Sequence, residues 1–228
     1  MAFTEQTRAE LSRRAAEIIA RYPKPRSAML PLLHLVQAAE GYVSDDGIAF
    51  CAEQLGQSEA EVTAVVSFYT MYKRQPVGEY HVGVCTNTLC AIMGGDAIYA
   101  GLREHLGTEG DEPTSDGKVS MERVECNAAC DYAPIVMVNW EFFDNQTPES
   151  ARELVDGLRR GEHIAPTRGA DSLATWREAA MILAGYPDDQ ATTGQTAGQP
   201  TLAGLRIARE NGWTPDPASP RASSGGRP

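Results

Sequence analysis

The sequence predicts an α+β protein in which a helical N-terminal part precedes a small sheet with helices packed on it. Residues 1–77 repeat apolar side chains at helical spacing, and residues 78–164 alternate strand and helix patterns. Residues 165–228 are rich in Gly, Pro, Ser and Thr. We therefore expect three parts with these boundaries, the last being a low-complexity tail with short possible helices near residues 173–183 and 202–211.

Four helices are predicted in the first part, each with a recognisable boundary signal. Gly41 follows the second helix as a C-cap, and Ser44 caps the third. Ser58 and Glu61 form the capping box of the fourth. The expected ranges are 5–21, 27–40, 45–55 and 59–69.

The second part begins with the alternation of Tyr80, Val82 and Val84, which predicts a strand that ends at Cys85. Three further strands are expected, at 118–125, 135–138 and 142–143. The second of the four is followed directly by Cys126. Two strand ends therefore carry cysteines.

Two helices are predicted to pack on this sheet. The first starts near Thr88 and runs to about His105 without interruption, so that the Gly94-Gly95 pair within it is a place of close packing. The last starts after Thr147 as N-cap, with Pro148 in the first helical position.

Charge and apolar patterning exclude some classes of protein. The formal net charge is −11, and Lys and Arg are not clustered, which argues against a nucleic-acid partner. Apolar runs are too short to cross a bilayer, so we expect no direct membrane insertion. The N-terminus lacks the pattern of a secretory signal, and we expect the protein to stay in a reducing cytosol.

Four of the five cysteines form two close pairs. Four residues separate Cys85 from Cys90, and three separate Cys126 from Cys130. A 2Fe-2S cluster needs four thiolates, and two loops at one end of a sheet can supply them. Backbone N–H groups of residues 86–88 and 127–129 can donate to anionic sulfur. The spacing thus predicts one 2Fe-2S cluster and an electron carrier.

Other uses of the same cysteines stay open at this point. A structural zinc site can also take four cysteines, although it favours two-residue gaps, so a zinc-stabilised interaction module is the main alternative from another class. A dithiol oxidoreductase would need C-x-x-C, and disulfides need an oxidising compartment.

The fifth cysteine, Cys51, lies among apolar helix positions and is left out of the site. No dinucleotide motif or P-loop is present, so the chain has no expected NADH site of its own.

Several segments resemble the E-subunit family of bacterial NADH-quinone oxidoreductase, respiratory complex I. In the first half the resemblance rests on residues 67–69, 76–80 and 82–85, with Cys90 and Gly94. In the second half it rests on residues 116–118, on 126–130, and on Ala133-Pro134 before a hydrophobic strand. The likeness covers residues 5–165, and the family often has Gly where this chain has Ala128 or Ala129. We expect that difference to have a small effect on the potential without loss of the cluster.

The resemblance implies a thioredoxin-like 2Fe-2S ferredoxin domain after the helical domain, with Cys85, Cys90, Cys126 and Cys130 as the cluster ligands. It implies an oxidoreductase subunit of NADH dehydrogenase (quinone) in the respiratory chain. The expected partners are the flavoprotein subunit that binds NADH and FMN and other peripheral-arm subunits. The cluster would exchange single electrons with the FMN, and the expected location is the cytoplasmic face of the inner membrane.

Related subunits occur in NAD-dependent formate dehydrogenases and hydrogenases, and the cysteine pattern alone does not separate these from complex I. The tail extends past the matched part, and we expect residues 202–207 to dock on another subunit.

Overall fold

Four helices build the N-terminal part of the computed structural model, which describes residues 3–108, 110–190, 193–194 and 196–213. The predicted caps are present: Ser44 accepts a hydrogen bond from the N–H of Gly47, Ser58 and Glu61 form a capping box, and Gly41 has a positive φ of 90°. A short 3-10 turn, Pro25–Ala28, precedes the second helix. The helices are α1 (Glu5–Ile19), α2 (Met29–Glu40), α3 (Asp45–Leu55) and α4 (Glu59–Phe68).

The apolar faces of these helices meet in one core. Its largest fully buried members include Ile18, Leu32, Leu33, Leu35 and Phe50. Because removing such side chains from water is the main favourable term in folding, this core explains why the amphipathic patterns form helices here.

A four-stranded mixed sheet follows, in the order β2-β1-β3-β4. β1 runs parallel to β2, with Cys85 opposite Val124, whereas β3 is antiparallel to β1 and β4 to β3. The parallel pairing brings the carboxyl ends of β1 and β2 to the same edge of the sheet. The strands are β1 (Tyr80–Cys85), β2 (Val119–Val124), β3 (Val136–Val138) and β4 (Glu141–Phe143).

One sheet face is covered by helices α6 (Gly95–Leu106) and α7 (Pro148–Arg160). Val82 and Val84 of β1 point to this face and share a core with Leu102 of α6 and Leu158 of α7. As predicted, α7 has Thr147 as N-cap and Pro148 in its first turn.

The prediction of one uninterrupted helix from Thr88 to His105 was wrong. A short helix, α5 (Thr88–Ile92), ends before Gly94, and α6 then begins at Gly95. Gly94 has a φ of 113°, which glycine tolerates and which breaks the helical path.

A helix also forms beyond residue 165. α8 (Trp176–Leu183) packs against α2, and the N–H of Trp176 donates to the carbonyl of Glu79 at 2.8 Å. Before it, Thr167 N–H donates to Phe142 O at 2.9 Å, so that residues next to Arg168 pair with β4. The helix expected near residues 173–183 is confirmed.

Residues 196–228 are distinguished from residues 1–195 as a second unit. Its helix, α9 (Gln199–Glu210), confirms the helix expected near 202–211 and has no buried residue. Its docking on another subunit stays a prediction, and the end of the predicted tail, residues 214–228, lies outside the described residues. No helix in the described part of the chain has the length and apolar character needed to cross a membrane.

Candidate metal centre

The first thiol pair is buried at the end of β1. Cys85 is the last residue of the strand and Cys90 lies in α5, and each is 2% exposed. The N–H of Cys85 donates to Ile135 O at 3.1 Å. Burial, followed by the contact with Cys85, raises the pKa of Cys90 to about 11, although a bond from the N–H of Ile135 opposes this.

The second pair lies in the loop that follows β2 and is exposed. The Sγ atoms of Cys126 and Cys130 are 3.7 Å apart, and the N–H of Ala128 donates to the Cys126 sulfur at 3.4 Å. The bond with Cys126 and then burial raise the pKa of Cys130. Ala128 has a φ of 55°, a left-handed conformation that is uncommon for alanine.

The two pairs lie at the same edge of the sheet, because the parallel strands β1 and β2 end together there. The thiol of Cys85 is near enough to Cys130 to act on its pKa, and the side chain of Asn87 joins the loops by donating to Glu125 at 2.9 Å. Among the described residues, no three His, Cys, Asp or Glu side chains converge on a single ion position.

Close packing of backbone shapes the buried side of the site. A Cβ on Gly95 would lie 2.4 Å from the carbonyl oxygen of Cys85 and 2.9 Å from that of Cys90. The prediction of close packing at the Gly94-Gly95 pair is confirmed for Gly95, since only glycine fits at this distance.

Apolar side chains surround the thiols. They keep water from the buried pair, and in such surroundings hydrogen bonds from N–H groups to anionic sulfur are strengthened. The buried members, besides Cys85 and Cys90, are Ala129, Ala133, Ile135 and Met137, with Val124, Tyr132, Trp140 and Phe142 packed against them.

The structure places the fifth cysteine elsewhere. Cys51 is fully buried in the core of the N-terminal helices, where burial raises the pKa of its thiol strongly. His34 lies in the same helical part and is buried against Tyr72, with the two ring centroids 4.8 Å apart.

Two charged clusters outside the thiol site were not predicted from the sequence. His81 Nε2 and Lys73 Nζ lie 3.0 Å and 2.6 Å from Glu122 Oε1, in a buried network behind the strands. Arg168 pairs with Asp144 beside β4. His81 lies on a strand, and its partner Glu122 is far from it in sequence. Arg168 lies in the segment that was expected to be a tail. The local sequence therefore predicted neither cluster.

A helical N-terminal part, a small mixed sheet and four thiols paired at its edge define a protein of the iron–sulfur carrier class. A profile of the thioredoxin-like [2Fe-2S] ferredoxin family matches residues 15–159, and the chain belongs to that family. The predicted fold class, family and cofactor, one 2Fe-2S cluster, are thereby confirmed.

Relatives extend the comparison to most of the chain. The chain is 65% identical over 198 residues to the E subunit of NADH-quinone oxidoreductase from Mycobacterium tuberculosis (strain H37Rv), covering 86% of this chain and 78% of that protein. It is 36% identical over 151 residues to NADH-quinone oxidoreductase subunit 2 of Thermus thermophilus, covering 65% and 83%. An NAD+-reducing [NiFe]-hydrogenase chain shares the fold with a TM-score of 0.52 and 16% identity, covering 58% of this chain and 23% of that one.

Proposed function

We propose that this chain is the electron-transfer subunit of an NADH-quinone oxidoreductase and that Cys85, Cys90, Cys126 and Cys130 bind its 2Fe-2S cluster. The observation that supports the ligand set best is the presence of two thiol pairs at one edge of the sheet, of which Cys126 and Cys130 have sulfur atoms 3.7 Å apart. A cluster of two irons takes two thiolates on each iron, whereas a single zinc ion needs four ligands around one point.

The residues around the pairs fit an anionic cluster. When bound, the cluster accepts and returns one electron without proton chemistry of its own. The N–H groups of Ala128 and Ile135 already point at sulfur atoms, and they would stabilise thiolates. The side of the site that holds Cys85 and Cys90 is buried and excludes water. The side that holds Cys126 and Cys130 is exposed and is open for electron exchange with a partner.

The partner is proposed to be the flavoprotein subunit that carries NADH and FMN. Next to Cys90, three large apolar side chains of α5 and its C-cap are exposed: Leu89 by 41%, Ile92 by 78% and Met93 by 57%. A cluster of exposed apolar residues beside a redox site is typical of a docking surface, because docking removes it from water. Through this partner the chain would lie on the cytoplasmic face of the membrane.

The identity of 65% to an E subunit of NADH-quinone oxidoreductase over most of the chain supports this assignment over the formate dehydrogenase and hydrogenase alternatives. The hydrogenase likeness, at 16% identity, concerns the fold alone.

The ligand assignment is tested by changing each cysteine to serine in the full chain, prepared anaerobically with iron. Wild type is expected to be red-brown, with two irons and two sulfides, EPR-silent when oxidised and with a spin-half signal after dithionite. Each of Cys85→Ser, Cys90→Ser, Cys126→Ser and Cys130→Ser should disrupt that cluster. Cys51→Ser is the matched control and should keep it, because Cys51 is buried in a separate core.

Two results would overturn the assignment. A colourless wild-type protein that contains one zinc ion would replace the carrier with a zinc-stabilised module. Loss of colour in Cys51→Ser, with colour kept in one of the four other variants, would show that the ligand set is wrong.

Docking is tested separately by co-purification with the flavoprotein subunit of the same complex. Ile92→Asp places a charge in the exposed apolar surface of α5 and should weaken capture of the flavoprotein. Leu30→Asp, at a position that is 40% exposed on α2, is the control and should be captured as wild type is. Equal capture of both variants would place the flavoprotein on another surface.

A further inference from the structure

Arg168 lies in a layer of aromatic rings behind the second thiol loop. Its guanidinium carbon is 4.1 Å from the ring centroid of Phe142 and 5.1 Å from that of Tyr132. Its Nε is 3.1 Å from Oδ2 of Asp144, and the two side chains are only 17% and 7% exposed. A cation over ring faces in a partly desolvated place is held by both the rings and the carboxylate.

Tyr132 connects this cation to the proposed cluster ligands. It ends the 3-10 turn that begins at Cys130, and its carbonyl accepts a bond from the N–H of Asn145 at 2.8 Å. Tyr132 and Phe142 both pack against the apolar group that contains Cys85 and Cys90. One layer of aromatic side chains therefore separates the positive charge from the thiols.

The segment that carries Arg168 is fixed to the sheet and not merely adjacent to it. Thr167 donates from its N–H to Phe142 O at 2.9 Å, and its hydroxyl donates to Asp144 Oδ2 at 2.9 Å. The N–H of Asp144 donates back to the Thr167 hydroxyl at 3.0 Å. Thr167 and Arg168 lie beyond the part that the family profile matches, residues 15–159.

The hydrogen-bonding capacity of this ion pair is incompletely used. Arg168 Nε and Nη2 and Asp144 Oδ1 are buried and have no hydrogen-bond partner among the described residues. Charges in such surroundings act over longer distances than exposed ones, because neither water nor salt screens them.

We propose that Arg168 is a positioning residue for the metal centre, holding the Cys126–Cys130 loop through Tyr132 and raising the reduction potential of the cluster by its charge. The inference rests on the proposed function. Reduction adds one electron, and hence one negative charge, to an anionic cluster, with no bond made or broken; a nearby cation favours that reduced form.

The experiment is a redox titration, followed by EPR, of the full chain with its cluster. Arg168→Gln should shift the midpoint potential to more negative values, whereas Arg168→Lys keeps the charge and should stay near wild type. Asp144→Asn should shift it in the opposite direction. Arg160→Gln removes an exposed arginine, paired with Glu162, and is the control for net charge; it should leave the potential unchanged.

Positioning is tested by the rate at which a chelator removes iron. Tyr132→Leu loses the ring between Arg168 and the loop and should release iron several-fold faster, whereas Tyr132→Phe keeps the ring and should match wild type. Equal rates for the leucine variant and wild type would remove the positioning role.

The outcomes separate this inference from the proposed function. Wild type without a 2Fe-2S signal would overturn the proposed function. If the wild-type EPR signal is normal and Arg168→Gln and Arg168→Lys shift the midpoint potential equally, the packing of the side chain matters and its charge does not. That result would overturn the role of the charge. If Arg168→Gln does not fold, Asp144→Asn still tests the role of the charge. An unchanged midpoint potential in Asp144→Asn would contradict the proposal.

Discussion

The indole nitrogen of Trp176 donates a hydrogen bond to the carbonyl oxygen of Gly41 at 2.7 Å. The next residue, Arg177, donates to the carbonyls of Ala38 at 3.2 Å, of Glu40 at 2.9 Å and of Ala39 between them. The last carbonyls of a helix have no partner within it and carry the negative end of its dipole. The start of α8 therefore caps the C-terminus of α2.

We expect Trp176→Ala to lower the free energy of unfolding by about 3–5 kcal/mol, as large-to-small changes of buried aromatic residues do. Trp176 is 2% exposed, and its ring lies 5.3 Å from that of His81 and 5.7 Å from that of Trp140. The change would leave a cavity where α2, α8 and the sheet meet. Urea unfolding followed by circular dichroism measures the loss.

Trp213→Ala is the control for this prediction. That tryptophan is 72% exposed, so its removal should leave the midpoint of unfolding as in wild type. A wild-type midpoint in Trp176→Ala would mean that α8 contributes nothing to the stability of the rest of the chain.

A second prediction concerns acid stability. Burial lowers the pKa of His34 to about 4, and its Nδ1 has no hydrogen-bond partner in the part of the chain that the structure describes. Because the unfolded chain binds this proton from about pH 6.5 downward and the folded chain does not, stability is full above that pH and falls as the pH drops towards 4. The loss from this one group is roughly 3 kcal/mol.

His34→Leu removes the titrating ring while keeping an apolar side chain in the core. In this variant the free energy of unfolding should fall less steeply between pH 6.5 and 4 than in wild type. Urea unfolding at a series of pH values tests this, and identical slopes for the two proteins would contradict it.

Local signals accounted for most helix boundaries. Ser44, the capping box of Ser58 and Glu61, and Thr147 all function as predicted, because a cap depends on residues within one turn. The meeting of the thiol pairs was also foreseeable, since Cys85 and Cys126 each follow a strand and paired strands end together.

Other features depend on contacts between distant residues, and the sequence carries no local signal for them. The helix break at Gly94 goes with the close approach of Gly95 to the Cys85 carbonyl. Arg168 meets Phe142 through a bridge to β4, and α8 is held by carbonyls of α2. Composition alone suggested a tail for both segments, because a few well-placed contacts do not change the average polarity.

A third prediction follows from the backbone of the second thiol loop. Ala128 has a φ of 55°, so Ala128→Gly should relieve strain and raise the free energy of unfolding by about 0.5–1 kcal/mol. Ala129 has a φ of −104° and is the matched control; glycine there should destabilise the chain. Thermal unfolding of both variants compares them, and stabilisation of neither or of both would exclude strain at Ala128 as the cause.

The last prediction concerns the ion pair between Lys73, after α4, and Glu122 on β2. Lys73 Nζ lies 2.6 Å from both carboxylate oxygens, and the side chains are 13% and 16% exposed. Burial alone would raise the pKa of Glu122, but the bonds and charges of His81 and Lys73 outweigh it and lower the pKa. Glu122 therefore adds stability above the pH at which the unfolded carboxyl titrates, near 4.5, and this stability is lost as the pH falls through the lower folded value.

Lys73→Met should lower the free energy of unfolding by about 3–5 kcal/mol near neutral pH, because it leaves a buried carboxylate without its cation. The difference from wild type should shrink as the pH falls below 4.5, since protonated Glu122 no longer needs that cation. Lys118→Met breaks the exposed pair with Glu79, whose side chains are 39% and 36% exposed, and should leave the urea midpoint close to wild type. Equal effects of the two lysine changes at neutral pH would show that burial of the Lys73 pair has no energetic consequence.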